Sequence, residues 1–250
     1  MLRRRVIPCL DVRGGRLVKG INFESLRDCG DPVDAAQRYA AAGADEIVWL
    51  NISAGEESWA ELLDAVERAA ELVDVPLCVG GGVTSAEQAR ELLLAGADKV
   101  SVNTAALDRP QLVTELSERF GTQCVVVAID ASRRDGRWET YAGAGRRPTG
   151  RDAVDWAAEA ARRGAGELLV TSIDTDGTQG GYDLELLSAI CRAVTVPVIA
   201  SGGAGRPADL VAALEAGASA ALAASIFHDG TFPIPEVKQE VASCGLPVRI

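Results

Sequence analysis

Histidine is almost missing from this sequence: its 250 residues contain one, His228. A metal centre built on histidine and carboxylate ligands, as a metal-dependent aldolase needs, is therefore disfavoured, and no metal is expected. Aromatic residues are scarce as well, with four Phe, four Trp and three Tyr, and the formal charge is -11. A nucleic-acid surface would need a basic stripe, so no nucleic-acid partner is expected. No apolar run approaches the roughly 18 residues of a membrane span. The opening MLRRRV is basic but lacks the apolar stretch and small-residue cleavage site of an export signal, which gives the expectation of a cytoplasmic protein. The six cysteines, at 9, 29, 78, 124, 191 and 244, show no CxxC spacing, and several sit in apolar runs where a thiol behaves as a small hydrophobe. Neither a disulfide framework nor a zinc site follows.

What is present is a rhythm without a linker. Short β-branched runs alternate with stretches of helical spacing: RVIPCLD before DPVDAAQRYAAAG, EIVWLNI before SWAELLDAVERAAELV, and PLCVGGG before SAEQARELLLAG. KVSVN, CVVVAID, ELLVTSID, VPVIASGG and AALAAS continue the series, each followed by a helical pattern. Eight strand and helix pairs, with strands apolar on both faces, predict a single (βα)8 TIM barrel over residues 1–250. In such barrels the chemistry sits at the carboxyl ends of the strands, where Asp11 and Asp130 end the first and fifth predicted strands.

The sequence also resembles itself. AGADKVSVNTAA at 95–106 matches AGASAALAASIF at 216–227, and GADEIVWLNIS at 43–53 matches GAGELLVTSID at 164–174, both at an offset of 121. Gly81 and Gly202 share that offset. The expectation is a barrel of two similar half-barrels, about 1–122 and 123–250, with Asp11 and Asp130 facing each other across the mouth. Glycines at strand ends leave backbone N–H groups free to hold an anion. GGGVTSAEQ with VNTAALD would form one phosphate cradle, and SGGAGRP with AASIFHD the other. Two cradles on opposite sides imply a long substrate phosphorylated at both ends. Two carboxylates between them suggest general acid and base work, with environment deciding which does which. Asp174 and Asp176 add carboxylates after the sixth strand, one placed to support the site and the other to cap a turn.

IPCLDVRGGRLVKGINFESLRDCGDP, VGGGV, ADKVSVNTAA, VVVAID, GAGELLVTSIDTDGT, GGYD, IASGGAG and ALAASIFH, in this order, resemble the imidazole glycerol phosphate synthase cyclase-subunit family over the whole chain. The resemblance implies a histidine-pathway lyase without a cofactor. It would take ammonia and a bisphosphorylated ribulosyl aminoimidazole intermediate, and release imidazole glycerol phosphate and an aminoimidazole carboxamide ribotide. It further implies that Asp11 and Asp130 are the acid and base pair, and that Lys19 lies on a long loop after the first strand that folds over the substrate. Gly82, Asn103 and Thr104 would serve one phosphate, and Gly177, Gly203 and Ser225 the other, with Asp176 nearby.

By the same resemblance, a glutaminase subunit docks at the amino-terminal face of the barrel as a heterodimer and sends ammonia through its centre. Arg5, Glu46, Lys99 and Glu167 would guard that opening, each at the start of a strand, with Asp98 contacting the partner. Four converging charges also read as a structural plug, and a plug that opens is a gate. One position departs from the family: Asn51 in WLNISAG stands where an aspartate is usual, and an amide cannot take a proton as a base. Two other readings stay open. One is the sister isomerase of the pathway, which shares the paired aspartates and bisphosphorylated substrate. The other is a phosphate-ligand-binding or glutaminase-activating scaffold altered by Asn51. His228 reads as a structural residue at a helix start. RRDGRWETYAGAGRR reads as a polar hairpin near the mouth, its arginines facing either the phosphates or solvent.

Overall fold

The computed structural model describes residues 3–21, 24–53 and 58–250, with backbone alone at 21 and 24–26. In chain order, β1 (Arg5–Arg13) leads into an antiparallel hairpin of β2 (Arg16–Ile21) and β3 (Glu24–Gly30), then α1 (Pro32–Ala41). There follow β4 (Ile47–Asn51), α2 (Trp59–Leu72), β5 (Leu77–Gly80), α3 (Ala86–Leu94), β6 (Lys99–Val102), a short α4 (Thr104–Asp108) and α5 (Gln111–Phe120). The second part runs β7 (Val125–Arg134), a hairpin of β8 (Arg137–Ala142) and β9 (Arg147–Asp152), α6 (Ala153–Arg162), β10 (Glu167–Ser172) and α7 (Leu184–Ala193). It ends with β11 (Val198–Ser201), α8 (Pro207–Glu215), β12 (Ala220–Ala223), a short α9 (Ser225–His228) and α10 (Ile234–Ser243).

β1, β4, β5, β6, β7, β10, β11 and β12 pair in parallel in that order, and β12 returns to β1, so the sheet closes as the expected eight-stranded barrel. β7 lies four strands from β1 in either direction and therefore opposite it. Local chemistry starts the helices where the strands stop. Asp31 caps α1 by accepting from Val33 and Asp34 N–H, Ser58 and Glu61 form a capping box on α2, and Asp152 and Asp183 cap α6 and α7.

Side-chain alternation along the strands decides what reaches the interior. In β1, Val6, Leu10 and Val12 pack outward against the helices, while Ile7 and Cys9 join Val48, Cys78, Val126, Leu169, Ile199, Ala220 and Leu222 inside the barrel. The same period carries Asp11 to the inner rim. In β7, Val125, Val127 and Ile129 pack outward and Val126 and Ala128 inward, so Asp130 also arrives inside. The interior is apolar, with Ile7, Leu169, Ile199 and Leu222 beside the smaller Cys9, Cys78, Ala128 and Ala220.

The segment after the first strand, expected as a long loop, is β-structured. Gly14 and Gly15 adopt left-handed φ of 55° and 70° and turn the chain, after which Val18 pairs with Asp11 and Leu17 with Val12. Asn22 and Phe23 of that segment, and Ala54 and Gly55 of WLNISAG, lie outside the described residues. The hairpin expected after the fifth strand is present as β8 and β9. His228 closes α9 instead of starting it. Its Nδ1 meets the Tyr39 hydroxyl at 2.7 Å, and burial pushes its pKa down to about 4, so it is neutral at pH 7. Among the described residues no helix is long and apolar enough to cross a membrane.

Candidate active site

All ten residues expected at the mouth border one cavity of about 620 Å³ at the carboxyl ends of the strands: Asp11, Lys19, Gly82, Asn103, Thr104, Asp130, Asp176, Gly177, Gly203 and Ser225. Asn51 lines it too. Its Oδ1 accepts the Ser53 N–H at 2.9 Å, and the Ser53 hydroxyl accepts the Gly14 N–H at 3.0 Å, which ties the end of β4 to the turn after β1.

The two aspartates stand in different surroundings. Asp11 pairs with the Lys19 ammonium at 3.6 Å, and the Cys9 thiol donates to its Oδ1 at 3.6 Å. Burial disfavours the Lys19 charge, but Asp11 and Asp176 outweigh it and hold its pKa above the ordinary value. Among the described residues no cation pairs with Asp130, and Asn103 Nδ2 donates to it at 2.8 Å. Burial pushes its carboxyl from 3.8 up to about 7 and the charge of Asp176 adds to the rise, while the Asn103 bond opposes it. Burial likewise raises Asp176, with Lys19 pulling against it. The geometry places one ion-paired carboxylate opposite one that exchanges a proton near neutrality, the difference that acid and base work requires.

Asn103, expected beside a phosphate, spends its side-chain amide on Asp130, so only its backbone is left for an anion. The Thr104 hydroxyl accepts the Gly143 N–H at 2.9 Å, which docks the β8–β9 turn against this wall. Asp174 turns away: it accepts from the Ser132 hydroxyl and Arg133 N–H, both at 2.7 Å, and secures the hairpin. Of the two carboxylates after the sixth barrel strand, Asp176 is thus the one in the cavity and Asp174 the one that caps. Cys9, which its apolar run marks as a small hydrophobe, also lies two residues before Asp11 along β1, so its thiol shares the inward face of that carboxylate.

The glycine stretches are shaped for close approach. Gly81 has φ of +95°, and a Cβ there would lie 1.9 Å from the Asn51 carbonyl oxygen; at Gly203, φ +112°, a Cβ would lie 2.1 Å from the Gly181 oxygen. Gly81→Ala is expected to destabilise the chain by about 2–4 kcal/mol, because left-handed strain and overlap with β4 add. A thermal unfolding midpoint within a degree of the parent would show that this turn relaxes freely.

At the opposite end the four expected charges meet in a closed ring. Arg5 contacts Glu46 at 2.5 Å and Glu167 at 3.0 Å, and Lys99 contacts Glu46 at 2.9 Å and Glu167 at 3.0 Å. Arg5, Lys99 and Glu167 begin their strands, whereas Glu46 immediately precedes β4. Asp98 accepts the Leu77 N–H at 2.8 Å and is otherwise exposed, much as Asp45 accepts the Val6 N–H at 2.9 Å. Leu72 and Leu94, which end α2 and α3 on the same face, are 48% and 68% exposed. Among the described residues no group of three or more His, Cys, Asp or Glu side chains could hold a metal ion.

Residues 5–233 match the model of a family described as "Histidine biosynthesis protein". Over 250 residues, 100% of this chain and 97% of the relative, the sequence is 57% identical to the imidazole glycerol phosphate synthase subunit HisF of Gluconacetobacter diazotrophicus. It is 56% identical to the protein of the same name from Caulobacter vibrioides over 253 aligned residues, again 100% of this chain and 97% of the relative.

Proposed function

This chain belongs to the histidine biosynthesis protein family, and from that premise we propose that it is the cyclase subunit of an imidazole glycerol phosphate synthase. It is a lyase-type enzyme that joins ammonia to a bisphosphorylated ribulosyl aminoimidazole intermediate and closes the imidazole ring. The observation that carries the chemistry is the contrast between Asp11 and Asp130 on opposite strands of one cavity. Asp130, protonated in a large fraction of molecules near pH 7, donates to the substrate ketone oxygen while Asp11, beside Lys19, takes one proton from the attacking nitrogen, giving a carbinolamine. Asp11 then gives that proton to the hydroxyl, which leaves as water, and Asp130 takes the second proton from the nitrogen. As the ring closes, Asp130 protonates the departing amine of the ribotide and Asp11 takes the proton that the new ring sheds. Gly82 and Thr104 on one side, and Gly177, Gly203 and Ser225 on the other, offer backbone N–H groups and hydroxyls to the two phosphates, and Lys19 closes the space between.

The relatives' names describe a synthase subunit, which works with a partner. In this reading the partner is a glutaminase seated on the amino-terminal face. The exposed Leu72, Leu94 and Asp98 supply an apolar and acidic edge there, and the ring of Arg5, Glu46, Lys99 and Glu167 gates ammonia into the apolar interior. The division into half-barrels is part of the same reading, supported by the matching hairpins that follow β1 and β7 on opposite sides.

The deciding experiment supplies the purified chain with the ribulosyl bisphosphate intermediate and ammonium salt at alkaline pH, where free ammonia replaces the partner, and identifies products by mass. Imidazole glycerol phosphate together with the carboxamide ribotide is the expected result. Neither turnover nor binding of the intermediate would end this reading. Binding without turnover would point to Asn51. With aspartate restored there, a new anion enters the cavity, so Asn51→Asp is expected to move the rising limb of the pH-rate profile to higher pH. A profile that does not move would place residue 51 outside the electrostatic reach of the acid and base pair.

A further inference from the structure

The β8–β9 hairpin carries arginines whose sequence left two destinations open, and the structure separates them. Arg133 pairs with Glu185 at 2.6 Å and stacks on Trp138, and Arg151 pairs with Glu159 at 3.5 Å over Trp156. Arg147 pairs with Asp108 at 2.7 Å. Arg146 differs. It borders the cavity, its Nε donates to the Gly143 carbonyl at 2.9 Å, and among the described residues no carboxylate pairs with it. Arg146 is exposed at the rim of the cavity that Gly82 and Thr104 also border.

Two further observations point to a ligand on this wall. The turn that presents Arg146 is held in a costly shape: Ala144 has φ of +54°, a left-handed conformation rare for a residue with a Cβ, between Gly143 at +63° and Gly145 at +76°. The Gly143 N–H to Thr104 hydroxyl bond fixes that turn against the start of α4. The acidic residue on the wall, Asp108, is occupied by Arg147, so it does not oppose an anion and Arg146 remains the uncompensated charge. A guanidinium presents paired donors that match two oxygens of a phosphate.

We propose that Arg146 clamps the substrate phosphate held by Gly82 and Thr104, reaching over the mouth from the β8–β9 turn. This deepens the cyclase reading and rests on its bisphosphorylated substrate. Arg146 is a binding residue for the ground state and transition state alike, so its loss is felt in KM and not in kcat.

The test compares Arg146→Ala, Arg146→Lys and Arg133→Ala with the parent in two assays: steady-state kinetics with the ribulosyl bisphosphate and ammonium salt, and calorimetric binding of inorganic phosphate. Arg146→Ala is expected to raise KM about 10- to 100-fold with kcat within about threefold, and to weaken phosphate binding. Arg146→Lys recovers part of this, since it keeps the charge and loses the fork, and Arg133→Ala leaves both readouts unchanged. If the parent turns over the substrate and Arg146→Ala keeps its KM and phosphate affinity, or loses kcat alone, the clamp is wrong and the cyclase reading survives. If phosphate binds in an Arg146-dependent way while the parent neither binds nor turns over the ribulosyl bisphosphate, the clamp stands and the cyclase reading falls. A parent that binds neither ligand overturns both.

Discussion

Asp130→Asn is expected to lower ammonia-dependent turnover by about 10²- to 10⁴-fold while leaving bisphosphate affinity nearly unchanged, the range typical for removing a positioned acid or base. The same substitution is expected to stabilise the fold. Asp130 titrates at about 7 in the barrel against 3.8 for an ordinary aspartate, so the folded state binds its proton more tightly than the unfolded chain does. Stability contributed by this group is therefore full below pH 3.8, declines as pH rises through the interval, and has turned into its whole cost above about pH 7. That cost has an upper bound of about 4 kcal/mol, and burying the new amide N–H returns part of it, leaving a gain of about 1–3 kcal/mol. Asn103 can still donate to the amide oxygen. Chemical unfolding should thus show Asp130→Asn above the parent at pH 8 and below it toward pH 4, where the cost of burying the amide is no longer offset. Dead enzyme that is also less stable at pH 8 would mean that residue 130 is structural, and retained turnover would remove it from the mechanism. Asp11→Asn is expected to lose turnover to a similar degree without that alkaline gain, because it breaks an ion pair with Lys19.

How much of this was legible follows from what a linear pattern encodes. The barrel was readable because βα alternation and both-sides-apolar strands are local signals, and the position of Asp11 and Asp130 at strand ends placed both at the mouth. The hairpin after β1 was not. RLVKG offers weak alternation, and its pairing depends on a turn at Gly14 and Gly15 and on β1 extending past the barrel rim to Arg13. Side-chain direction at the site was equally hidden. Nothing near VSVNTAA says that the Asn103 amide reaches Asp130, because the two lie 27 residues apart and meet through the β6–β7 pairing. The same holds for the hairpin arginines, which look alike in sequence and differ by which long-range carboxylate each one finds. The basal ring was expected from resemblance, and its closure into four contacts depends on the strand registers that bring Arg5, Glu46, Lys99 and Glu167 to one level.

That ring gives the largest expected effect on stability. Glu46 is 1% exposed and accepts from both Arg5 and Lys99, beneath an apolar interior that begins with Ile7 and Cys78. Burial works against the charges of Arg5 and Lys99, yet Glu46 and Glu167 together outweigh it and raise both pKa values. The Lys99 contribution is accordingly present across neutral pH and is lost only as pH climbs above its ordinary 10.5. Glu46→Ala leaves two partly buried cations to share Glu167. A buried charge without its partner costs about 3–5 kcal/mol, and a domain of this size loses roughly 2–4 °C in Tm for each kcal/mol, so a fall of about 6–20 °C is expected. Lys99→Ala should cost less, because Arg5 still touches both carboxylates and the opening at the base lets water in to solvate what remains. Combining the two changes should then cost less than their sum, since the second removes a cation that the first left unpaired. Additive losses would show that the four charges act separately, and a Glu46→Ala variant within 1 kcal/mol of the parent would show that the ring stands open to water in solution. An open ring of that kind could still admit ammonia, but it would not hold the base of the barrel together.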